Sequence, residues 1–232
     1  MSKLPHPSLI VFDLDNTLYD YVRPNTFATQ TLVEKISFQT SIKPLEVKSA
    51  LDASRLNVKQ RLGQTASSHN RLLYISEVYR LLNLIPDVEQ FLNLEELFWD
   101  AYLSQMELFT GANEFIQLLK KLDIPLAMVT DLTSNIQYQK LLKLGLSSCF
   151  DFILTSEEAG GDKSSGHPFD LLSKICAAPL LSAWFIGDGE FDRPEIADNR
   201  PLFFRKVGKI TSCNLDNQFQ FQHFDELRQF LV

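Results

Sequence analysis

The sequence predicts an α/β fold, a parallel sheet with helices on both faces, carrying an all-helical segment inserted after its first strand. Three observations predict it. From about residue 108 onward, short apolar runs alternate with amphipathic helical patterns, the rhythm of βα units. Residues from about 20 to 107 read as helix throughout. The apolar run "SLIVF" at 8–12 is a strand that finds partners only in the second half. The expected division is therefore residues 1–19 with 108–232 as the α/β core and 20–107 as a helical insert.

Each element follows from local pattern. In "KPLEVKSALDASRLNV", Val47, Leu51 and Val58 share a face, with Pro44 near the helix start and Gly63 beyond its end. "NRLLYISEVYRLLNL" repeats the period through Leu72, Ile75, Tyr79 and Leu82, and Pro86 stops it. "NLEELFWDAYL" offers Asn93 as N-cap, with Glu96 three residues on. In the second half, "GANEFIQLLKKL" is a helix with Phe115, Leu118, Leu119 and Leu122 inward. "IPLAMVT" is a strand, and "SNIQYQKLLKLGL" a helix capped by Ser134 or Asn135. "FDFILT", "SAWFIG" and "PLFF" are further strands, "PFDLLSKI" a helix between the first two, and "FDELRQFLV" a closing helix.

Composition narrows the function classes. Of 232 residues, 45% are hydrophobic and 22% charged, which is globular usage. A formal net charge of −7 argues against a general nucleic-acid binder, which needs a basic face. Cys149, Cys176 and Cys213 are scattered, without CxxC spacing, so neither a zinc site nor a disulfide framework is indicated and a reducing compartment fits. The N-terminal apolar run is too short for a signal peptide, and no segment approaches the ~20 apolar residues of a membrane span. A cytoplasmic protein without membrane or nucleic-acid partners is expected.

The chemistry is expected where strands end, because open α/β sheets bind ligands beyond the carboxyl ends of their strands. "FDLDNTLY" sets Asp13 and Asp15 at the end of strand one, and ions there are costly to bury unpaired. A calcium loop starting at Asp13 is excluded, since its sixth and twelfth positions hold Leu18 and Pro24 rather than Gly and Glu. "IPLAMVT" ends in Thr130, followed by Asp131. "GDGEFD" supplies Asp188 and Asp192, and Lys163 lies in the loop after "FDFILT". Singly, each has a plain alternative: Thr130 a helix cap, Lys163 a solvated loop lysine, "GDGEFD" a turn. Their joint occurrence at strand ends points to one site.

These motifs, in this order, resemble the haloacid dehalogenase superfamily of phosphohydrolases. "FDLDNTLY" is similar to its nucleophile motif DxDx[TV][LV], "MVT" to its second motif, Lys163 to the lysine of its third, and "IGDGEFD" to its acidic fourth, GDxxxD. The resemblance covers nearly the whole chain and implies a Rossmann-like core with a helical cap of the C1 type inserted after the first motif. Ser164 follows the lysine where Pro is usual, Asp131 stands where Asn often follows the threonine, and Gly189 replaces a frequent Ser.

The resemblance implies a Mg²⁺-dependent phosphatase of the phosphoric monoester hydrolase class, acting on a small phosphorylated metabolite. Asp13 would be the nucleophile and form an aspartyl phosphate, and Asp15 the general acid and base. Thr130, Asp131 and Lys163 would bind the phosphoryl group. Asp13, Asp188 and the backbone carbonyl of Asp15 would ligate Mg²⁺, with Asp192 holding its waters. An acid at position 15 favours a phosphate ester over a carbon–halogen bond or a phosphonate. The rival readings are a phosphomutase of the same fold and a non-catalytic binding module. The insert is expected to close over the site and read the leaving group, with Arg55, Lys59, Arg61, His69 and Arg71 as candidate contacts.

Overall fold

The structure is a computed structural model and describes residues 4–196, 199–210 and 217–231. Cys213 lies outside the described residues; Cys149 and Cys176 are buried free thiols. The chain forms two compact units, one of Met1–Asp20 with Glu107–Val232, the other Tyr21–Met106.

The first unit opens with β1 (Ile10–Phe12). The second holds four helices: α1 (Val22–Thr40), α2 (Pro44–Leu62), α3 (Arg71–Leu81) and α4 (Val88–Ser104). The chain then continues with α5 (Ala112–Lys121), β2 (Leu126–Thr130), α6 (Ser134–Lys143), β3 (Phe152–Thr155) and the single turn α7 (Ser156–Ala159). It ends with α8 (His167–Ile175), β4 (Trp184–Gly187), β5 (Leu202–Lys206) and β6 (Gln218–Phe221).

Among the described residues the sheet has six strands, all parallel, in the order β3-β2-β1-β4-β5-β6. β1 lies between β2 and β4, with Phe12 beside Met128 on one side and Ile186 on the other. The residues after β1 therefore emerge between the ends of β2 and β4. Alternation along β1 explains its unbroken apolar run. Leu9 and Val11 join Val129, Phe169, Leu172 and Phe185 on the face that α8 covers. Phe12 packs instead on Phe115 of α5, which meets Phe224. A strand buried on both faces has no polar positions to alternate.

In the helical unit, α1 packs against α4, and α2 against α3. Val47, Leu51 and Val58 of α2 are buried as their spacing predicts, and Ile75 and Tyr79 of α3 likewise. The cap expected at Asn93 is not formed. α4 starts a turn and a half earlier, and Asp87, extended after Pro86, accepts from the Gln90 N–H at 3.1 Å. Asn93 is interior to that helix, whose aromatic face, Phe98, Trp99 and Tyr102, holds it regardless of local capping preference.

Three details of the second half also differ. α6 is capped by neither Ser134 nor Asn135; Thr133 precedes it without a side-chain cap, and the Ser134 N–H is bound by Glu157 at 2.8 Å. Leu122 is 44% exposed, and Ile116 takes the inward position. The closing segment Phe224–Phe230 is 3₁₀ rather than α, and it packs Phe230 on Phe204 and Phe219. Among the described residues no helix is long and apolar enough to cross a membrane.

Candidate active site

The carboxylates and the lysine converge where β1, β2 and β4 end. The Asp13 N–H still donates to the Ile186 carbonyl at 2.9 Å, so the sheet holds its backbone. Its side chain is 6% exposed. Thr17, one turn on and fully buried, donates to Oδ2 at 2.7 Å, and Lys163 Nζ donates to Oδ1 at 2.5 Å. Lys163 also contacts Asp192. It is therefore not a solvated loop lysine: its neighbours are acids, and it is 8% exposed.

Asp188 and Asp192 reach the same point from the end of β4. Asn16, at φ 63°, turns the chain after Asp15, and its side chain hydrogen-bonds Asp188. Asp192 folds back over Gly187, where a Cβ would lie 2.3 Å from that of Asp192, so only glycine fits. The Gly189 N–H donates to Asp192 at 2.6 Å, and Arg205 Nε donates to the Asp188 carbonyl at 2.9 Å.

Ligand atoms of Asp13, Asp188 and Asp192 lie within 4.8 Å of one another. Three carboxylates against one ammonium leave two negative charges uncompensated. Burial, then the charge of Asp192, pushes Asp13 well above the usual carboxylate range, with Lys163 opposing only in part. The same two causes raise Asp188. Burial disfavours the charge on Lys163, but Asp13, Asp192 and Asp131 outweigh it and hold the ammonium well above the ordinary lysine value. An all-oxygen set two positive charges short fits a hard divalent cation such as Mg²⁺.

Asp15, one residue beyond Leu14, has a separate setting. Lys140 of α6 reaches both its oxygens at 2.8 Å, and the Tyr19 hydroxyl donates to Oδ1 at 2.5 Å. Thr130, 1% exposed, accepts from Gln137 Nε2 at 2.7 Å. That leaves its hydroxyl proton to donate elsewhere; Thr130 is no helix cap, because it ends β2 and α6 starts only at Ser134. The Asp131 carboxylate accepts from the Lys163 N–H at 2.8 Å, tying the lysine loop to the end of β2.

Thr17, Tyr19, Gln137 and Lys140 are absent from the sequence reading. Thr17 and Tyr19 lie inside the first motif and carry the hydroxyls that reach its acids, a signal that was available. Gln137 and Lys140 sit on a helix where amide and ammonium ordinarily face water.

The model of the haloacid dehalogenase-like hydrolases matches residues 7–198. The chain belongs to that family. A ribulose-1,5-bisphosphate 5-phosphatase of Halopiger xanaduensis is 35% identical over 180 residues, 77% of this chain and 75% of that protein. A phosphoglycolate phosphatase of Nitrosococcus oceani is 26% identical over 196 residues, covering 82% and 79%. The family and its phosphatase relatives make this member a phosphoric monoester hydrolase.

Solved structures share the fold. A HAD-hydrolase of Bacillus subtilis bound to magnesium superposes with TM-score 0.66 at 19% identity, covering 96% of this chain and 97% of that one. A 2-haloacid dehalogenase of Pseudomonas syringae gives 0.70 at 18%, with the same coverage.

Proposed function

We propose that this haloacid dehalogenase-like hydrolase is a Mg²⁺-dependent phosphatase that removes the phosphate of a small phosphomonoester through an aspartyl phosphate on Asp13. One observation carries the reading. Asp13 is buried, anchored at Oδ2 by Thr17 and at Oδ1 by Lys163, and grouped with two further carboxylates at metal-ligand spacing.

Asp13 and Asp188 would hold the ion directly, with the Asp15 carbonyl as a further ligand and Asp192 on its waters. When bound, the cation supplies the positive charge that lets an anionic carboxylate approach a phosphate dianion. Thr130, its oxygen already occupied by Gln137, donates its hydroxyl proton to a phosphoryl oxygen, and Lys163 neutralises another. Because the Asp131 carboxylate is engaged by Lys163, the phosphate contact assigned to Asp131 falls on its backbone N–H.

In the first step a carboxylate oxygen of Asp13 bonds to phosphorus, the ester P–O bond breaks, and Asp15 protonates the leaving oxygen. In the second, Asp15 takes a proton from water, the water oxygen bonds to phosphorus, and Asp13 leaves with its electron pair. Such proton transfer contributes roughly 10²–10⁴-fold.

The relatives support a substrate class. Ribulose bisphosphate and phosphoglycolate each carry a second anionic group, so sugar phosphates and phosphorylated acids come first. In the helical unit, Arg55 and Arg71 line one cavity of about 580 Å³. Among the described residues they have no carboxylate partner within ion-pair distance, whereas Arg61 pairs with Glu77 at 3.6 Å. Arg55 and Arg71 are the first residues to test for reading the leaving group. Cytoplasmic residence belongs to this reading and rests on the two buried free thiols.

A panel of phosphate esters with Mg²⁺ and with EDTA tests the proposal. Phosphate release from at least one small ester is expected, abolished by chelation and restored by Mg²⁺. Full activity in EDTA would overturn the metal assignment.

A further inference from the structure

Asp15 is bound to α6 by a contact between residues 125 positions apart in sequence. Lys140 is 1% exposed, and its ammonium lies 2.8 Å from both Asp15 oxygens and 5.9 Å from the centroid of the Tyr19 ring. Tyr19 is fully buried, and its hydroxyl donates to Oδ1 at 2.5 Å. Burying an ammonium is costly unless it is paired and hydrogen-bonded, so this lysine is committed to Asp15 and not to solvent.

The donors are unequally shared. Among the described residues Oδ1 accepts from both Lys140 and Tyr19, and Oδ2 from Lys140 alone. The Asp15 side chain is nevertheless 29% exposed. Oδ2, with one donor against two on Oδ1, is therefore the oxygen with a lone pair to spare.

We propose that Lys140 and Tyr19 are positioning residues for proton transfer, holding Asp15 so that Oδ2 is the oxygen that gives and takes the proton. This rests on the acid–base role of Asp15 proposed above. In the first step Oδ2–H passes its proton to the leaving oxygen as the ester P–O bond breaks. In the second, Oδ2 removes a proton from the water that bonds to phosphorus as the Asp13–P bond breaks.

The same helix face serves a second group. Gln137, three residues before Lys140 and fully buried, orients Thr130. α6 thus sets both the hydroxyl that binds phosphate and the carboxylate that moves the proton. Proton transfer depends first on geometry, and a displacement of about 1 Å can cost ~10²-fold.

The test uses Lys140→Met, Lys140→Arg and Tyr19→Phe in the full chain with Mg²⁺, on an alkyl phosphate and an aryl phosphate. An aryl leaving group needs little protonation, so its release in the first turnover does not depend on Asp15, whereas later turnovers do. Lys140→Met is expected to lower kcat on the alkyl ester by ~10²-fold. Its first-turnover burst of aryl alcohol should stay within about 3-fold of the parent while phosphoenzyme accumulates. Lys140→Arg should recover part of the loss. Tyr19→Phe, which removes the hydroxyl and keeps the ring, should move the same quantities about 3- to 10-fold. In an Asp15→Ala background neither substitution should lower turnover further.

Equal slowing of the burst and of later turnovers would overturn the proposal, as would undiminished alkyl ester hydrolysis, or a further loss in the Asp15→Ala background. If Lys140→Met fails to fold, Tyr19→Phe decides by the same readouts. Parental turnover by Asp15→Ala alone would instead refute the acid–base role, and the positioning with it.

Discussion

The buried acids of the two units are compensated in opposite ways. In the helical unit Glu77, 8% exposed, accepts from Asn57 at 3.1 Å and Arg80 at 2.7 Å, with Arg61 at 3.6 Å. The Asn57 hydrogen bond, with that of Arg80 and the charges of Arg61 and Arg80, outweighs burial and holds its carboxyl below the ordinary value. At the end of β1, three carboxylates share one lysine, and Asp13 and Asp188 are raised. A structural acid is over-supplied with donors so that its charge is stable without help. The Asp13 cluster is under-supplied, and in the proposed reaction a cation would bring the missing charge.

The largest effect that breaks this comparison is Asp13→Asn. It keeps the shape and removes the attacking charge, so turnover and phosphoenzyme should both fall below detection. Intact-mass measurement after an aryl phosphate pulse checks this, and phosphorylation of the variant would show that the nucleophile lies elsewhere.

Asp15 lies between the two patterns, one acid matched by one lysine. Asp15→Ala should slow hydrolysis of alkyl esters by about 10²–10⁴-fold. With aryl esters it should accumulate a hydroxylamine-sensitive acyl phosphate on Asp13.

Asp188→Asn sharpens the contrast through stability. A carboxyl raised in the folded state keeps its proton longer than in the unfolded chain. Its stabilising effect is thus complete at acid pH and is lost as pH rises from the ordinary value through the raised one. At pH 7 in EDTA the ionised group is a burden, so Asp188→Asn should raise Tm by about 2–4 °C. The parent alone should gain strongly from Mg²⁺. A lower Tm in EDTA would mean that Asp188 is chiefly a structural acceptor.

Glu77→Gln is the smallest and has the opposite sign. Its partners Arg80 and Arg61 are largely exposed, which limits the loss at pH 7 to about 1 kcal/mol. A depressed carboxyl stabilises above its unfolded value and stops doing so as pH falls through the folded one. The difference from the parent should therefore vanish in the acid range. Denaturant unfolding at pH 7 and near pH 3 measures it.

Particular residues show how far sequence reaches. Asp13, Thr130 and Asp188 were legible because each closes an apolar strand in a βα alternation, which in a parallel sheet brings such ends to one edge. Lys163 was legible from its motif, though not its burial. Lys140 in "QKLLK" was not: locally it is a lysine on an amphipathic helix, and only the packing of α6 beside the β1 turn gives it an acid. Asn93 failed for a related reason, because a preference worth about 1 kcal/mol yields to burial of a whole aromatic face.

What the sequence by itself determined is the fold class, the order of the site motifs and the excess of acids at the end of β1. Those are properties of periodicity and of residue type at strand ends, and both are local. What only the tertiary structure decided is which distant groups serve these residues: Lys163 on Asp13, Lys140 on Asp15, and Gln137 of α6 behind Thr130. Hydrogen bonds and ion pairs act over about 3 Å. Their partners are therefore chosen by how strands and helices pack, not by separation along the chain.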